Sequence, residues 1–175
     1  MPASNELILA IGLDDVKALC TEHDVTWADV YDEKHDVVDE LSKKLKDQLI
    51  AAQVKLLDAK FGGGQRRNAS GSLAGLGSQL TYDTPEGRRN FSLFSFQAFY
   101  DEDESKSFPD GHHFGVSLAS RYFPVYLDWR DENGTDGNFV LDQELMTEID
   151  AARAAITEAV PCFANSPIAV LLQWY

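Results

Sequence analysis

"DVVDELSKKLKDQLIAAQVKLLDAKF", residues 36–61, is the stretch whose reading decides the fold class of this chain. Val38, Leu41, Leu45, Leu49, Ala52 and Leu56 recur at three- and four-residue steps, with Val37 and Leu57 beside them, which is the apolar stripe of an amphipathic helix. Asp39 with Lys43, and Glu40 with Lys44, stand one turn apart in the favourable acid-first order. Lys60 followed by Gly62, Gly63 and Gly64 marks the helix C-terminus. Beyond the glycines the period falls to two. Phe94, Phe96, Ala98 and Tyr100 alternate onto one face and Phe91, Leu93 and Phe99 onto the other, which predicts a central strand covered on both sides.

Upstream, the pattern is also helical. Asp14 and Asp15 suit a helix start, and Val16, Leu19 and Cys20 share one face of "GLDDVKALC". Thr26 and Asp29 have the spacing of a capping box and predict the start of a second helix. Downstream, "HHFGVSLASRYFPVYLDWRD" is strand-like with a break at Pro124, and Asn133-Gly134 and Asp136-Gly137 are hairpin turn signals. "NFVLDQELMTEIDAARAAITEAV" reads as a short strand and a helix stopped by Pro161, and "PIAVLLQWY" as a buried terminal strand. The expected fold is α+β: N-terminal helices packed on a mostly antiparallel sheet, with one late helix and a C-terminal strand. Residues 1–175 form one domain, with a helical part at 1–61, a glycine-rich link at 62–78, and a sheet part with one helix at 79–175.

The net charge of -14 is unevenly spread. Residues 1–50 hold twelve acids against five bases and residues 101–150 thirteen against three, whereas residues 51–100 hold three acids and six bases. Phosphate backbones are bound through Lys and Arg, so this balance argues against direct nucleic-acid binding and favours a basic protein partner. No apolar run reaches the roughly 20 residues of a membrane span. The N-terminal segment lacks a basic leader and a cleavage site, so the expected compartment is cytoplasmic. Cys20 and Cys162 have neither CxxC spacing nor a zinc pattern, and read as buried thiols.

Of the chemical motifs, "KFGGGQRRNASGSLAGLGSQL" (residues 60–80) comes nearest to a ligand loop. It has no Lys where a P-loop requires one, and it follows a helix and precedes a strand, the reverse of a dinucleotide fingerprint. A link is the simpler reading; in the alternative, Arg66 and Arg67 with the glycine amides bind an anion. "ALCTEHDVTWADVY" resembles a helix-turn-helix, with Asp24 at the tight turn, but the second helix would present Asp29, Asp32 and Glu33 to phosphates; a packing hairpin is expected instead. His112 and His113 follow an acidic segment, yet adjacent strand residues face opposite ways. In an EF-hand alignment Lys106 takes the glycine position and His112 that of the bidentate Glu, so no metal is expected. No GxSxG elbow or other nucleophile context is present, and no catalytic residue or cofactor is assigned.

The expectation for function is a small acidic, non-enzymatic protein-binding module. In general character it is similar to bacterial immunity proteins and phage-encoded inhibitors, a likeness of composition that implies neutralisation of a basic protein partner. Asp101, Glu102, Asp103, Glu104, Asp128, Asp131 and Glu132 would steer that partner, and Tyr126 or Trp129 would anchor it, being residue types enriched in binding hot spots. The alternatives are a small enzyme or ligand-binding domain taking an anionic, phosphorylated ligand at the glycine-rich loop, and a structural subunit of a larger assembly.

Overall fold

The computed structural model describes residues 3–27, 31–62, 67–73, 77–98, 114–119 and 142–174. In chain order the elements are β1 (Ala3–Ile11), α1 (Leu13–Glu22), α2 (Tyr31–Phe61), β2 (Arg67–Leu73), β3 (Gly77–Thr84), β4 (Gly87–Ser92), β5 (Ser95–Ala98), β6 (Phe114–Ala119), α3 (Gln143–Ala159) and β7 (Ile168–Trp174). A 3-10 turn, Pro161–Phe163, joins α3 to the segment before β7. The strands make two antiparallel sheets, one in the order β5-β6-β1-β7 and one a meander, β2-β3-β4. The protein is therefore α+β, as its periodicities imply.

α2 organises the core. Its stripe of Val37, Val38, Leu41, Leu45, Leu49, Ala52 and Leu57 is buried together with Leu145, Ile149, Ala152 and Ile156 of α3. Both helices pack over the same cluster as Leu7, Leu9 and Ile11 of β1, Phe96 of β5, and Val116 and Leu118 of β6. Fully burying one such aliphatic side chain is worth about 1.5–3 kcal/mol, so this layer dominates the stability of the fold. α1 contributes Val16, Leu19 and Cys20, the three residues its sequence pattern assigns to one face.

The turn after α1 belongs to that packing. Asp24 takes a left-handed conformation (φ 57°), the Val25 amide donates to the Cys20 carbonyl at 2.8 Å, and Val25 drops into the core. This is a Schellman-type helix end in which Asp fills the place glycine usually takes. The end of α1 thus serves the packing of the core, and residues 28–30, which lead on to α2, lie outside the described residues.

Three expectations change. The first third is not all helix: residues 3–11 form β1, which pairs with β6 on one side and β7 on the other. Its two faces are both buried, Leu7, Leu9 and Ile11 in the main cluster and Ile8 and Ala10 in a second cluster with Ala169. A strand buried on both faces shows no alternation, so period alone cannot reveal it. The link at 62–78 contains β2 and the start of β3, and Ser70, Gly71 and Ser72 are part of a strand. Residues 91–98 are not one strand: the chain leaves the three-stranded sheet after Ser92 and enters the four-stranded sheet at Ser95, so β5 lies at the end of the strand order rather than in its middle. The second helix starts at Tyr31, and residues 28–30, which complete the Thr26–Asp29 spacing, lie outside the described residues.

Candidate functional site

All nine residues assigned to partner binding lie outside the described residues: Asp101, Glu102, Asp103, Glu104, Tyr126, Asp128, Trp129, Asp131 and Glu132, as do Arg66, His112 and His113 among the other candidates. Arg67 is the exception, since it opens β2. Two charged surfaces are described, one acidic and one basic.

The acidic surface begins on α1. Asp14, Asp15, Glu22 and Asp24 are exposed, and Asp15 and Glu22 lie near enough to Cys162 of the 3-10 turn for their charges to act on its thiol. Burial, followed by the Asp15 charge, pushes the Cys162 thiol up to about 11. Cys20 is raised as well, first by burial and then by Glu40. Both cysteines are free. A thiol held above its ordinary range stays protonated at neutral pH, and the thiolate is the reactive form, so neither cysteine is an activated nucleophile. Among the described residues, no group of three or more His, Cys, Asp or Glu is placed to hold a metal ion, and no helix is long and apolar enough to cross a membrane.

The basic surface is set by strand register. Thr84 closes a two-residue turn over Pro85 and Glu86 by donating its hydroxyl to the Gly87 carbonyl at 2.7 Å and accepting the Glu86 amide at 3.2 Å. That turn places Tyr82 opposite Arg89, and on the other side of β3 Tyr82 stands opposite Arg67. Arg67, Tyr82 and Arg89 thus occupy one cross-strand row.

The end of α2 abuts this row. The Tyr82 hydroxyl donates to Asp58 Oδ1 at 2.8 Å, and the Phe61 ring lies 5.9 Å from that of Tyr82 and 6.3 Å from that of Phe91. The Arg89 guanidinium sits 5.2 Å from the centre of the Phe91 ring, and Lys60 Nζ 5.9 Å from the centre of Phe61. Tyr82 and Phe91 are fully buried, so cations rim an aromatic floor.

The opposite face of the hairpin is ordinary surface. Arg88 pairs with Asp83 at 2.9 Å, and Thr81 donates to Asn90 Oδ1 at 2.9 Å, each pair directly cross-strand.

Sequence reading names Arg67 but not Arg89, Tyr82 or Asp58. The signal for Arg89 is present, because a two-residue turn at Pro85 and Glu86 requires the pairing of Tyr82 with Arg89. Asp58 and Tyr82 meet only through tertiary packing. Comparison with protein-family models, with curated proteins and with solved structures finds no match for this chain.

Proposed function

We propose that the protein is a small acidic binding module that neutralises a basic protein partner, in the manner of an inhibitor or immunity-type protein. The observation that supports this reading is its charge: a net -14, with acids concentrated in residues 1–50 and 101–150. The exposed carboxylates of α1 extend the acidic character to a helical surface. Such a field raises the rate at which an oppositely charged protein arrives, by about 10- to 1,000-fold at low ionic strength. Affinity then comes from desolvated aromatic anchors, the role given to Tyr126 and Trp129, with Asp128, Asp131 and Glu132 as a charged rim.

The test is capture of the tagged full chain's partner from a lysate of the source organism at low and moderate salt, with intact-mass analysis of what co-elutes. A stoichiometric basic protein that is lost as salt rises supports the proposal, and charge reversal at Asp101, Glu102, Asp103 and Glu104 then slows its association by about tenfold or more at low salt. A stoichiometric partner whose on-rate is unchanged by that reversal and by salt overturns steering by this segment.

A further inference from the structure

We draw no further inference here: the strongest candidate, the outward face of α1 that carries Asp14, Asp15 and Glu22 with Asp24 in the turn beyond, is an acidic cluster beside the exposed Leu13, and nothing in the structure shows what covers it.

Discussion

At the scale of single residues, one amide settles how the chain passes between its two sheets. Gln53, fully buried on α2, donates from Nε2 to the Ser92 carbonyl at 2.6 Å and accepts the Phe94 amide on Oε1 at 2.9 Å. It therefore supplies a donor and an acceptor to backbone groups at the crossing from β4 to β5. Leaving a buried polar group unpaired costs about 1–3 kcal/mol. Gln53→Met keeps the volume and strands both groups, so a loss of about 2–4 kcal/mol is expected in denaturant unfolding. A loss below about 1 kcal/mol would show that the crossing finds other partners.

Cys162 gives a pH dependence. Its folded pKa, about 11, stands above the ordinary value of 9.0, so the unfolded chain releases its proton first. The group's contribution to stability is complete below pH 9 and is lost as pH rises through 11. The difference in unfolding free energy between the natural protein and Cys162→Ala is expected to shift against the natural protein from pH 8.5 to pH 11, about the span of the two pKa values. A constant difference across that range contradicts the assignment.

At the scale of elements, what the sequence discloses depends on how many faces an element buries. α2 and α3 each bury one stripe, and a 3.6-residue period survives in their sequences: Leu41, Leu45 and Leu49 in one, Leu145, Ile149, Ala152 and Ile156 in the other. α3 also carries its own start signal, since Asp142 Oδ1 accepts the Leu145 amide at 2.8 Å, and Pro161 stops it. β1 buries both faces, and β2 is built of residues with little strand preference, so neither shows in the pattern. The candidate sites follow the same rule. The charge distribution is readable from composition, but the row of Arg67, Tyr82 and Arg89 exists only once register is known.

Gly115 tests a close approach between β6 and β1. It is paired with Ala10, and a Cβ placed there would run into the Leu9 carbonyl oxygen and lie 2.7 Å from Ile8 Cγ2. The obstacle is main chain, which cannot swing aside. Gly115→Ala is expected to cost about 1–3 kcal/mol, read as a fall in thermal midpoint. An unchanged midpoint would mean that β1 and β6 separate more easily than their pairing implies.

At the scale of the whole molecule, the strand hardest to read is the one on which the four-stranded sheet depends. β1 pairs with β7 from Ala3 to Leu9 and with β6 from Leu7 to Ile11, partners more than 100 residues away in sequence. Its inner face meets the cluster of α2 and α3, and its outer face is closed by Ile8, Ala10 and Ala169. Local opening that exposes the amides of residues 7–10 must therefore break hydrogen bonds to a strand and uncover apolar surface in two clusters together. Such groups exchange only through global unfolding, whereas fraying helix ends and hairpin tips exchange through cheaper local openings. Native-state hydrogen exchange is expected to show the slowest amides at residues 7–10, with free energies equal to that of global unfolding. The Glu86 amide, in the turn after Pro85, is expected to exchange many orders of magnitude faster. Coincidence of the slowest amides with α2 alone, with residues 7–10 markedly faster, would place the last-melting unit in the helices and make β1 a late addition to a helical core.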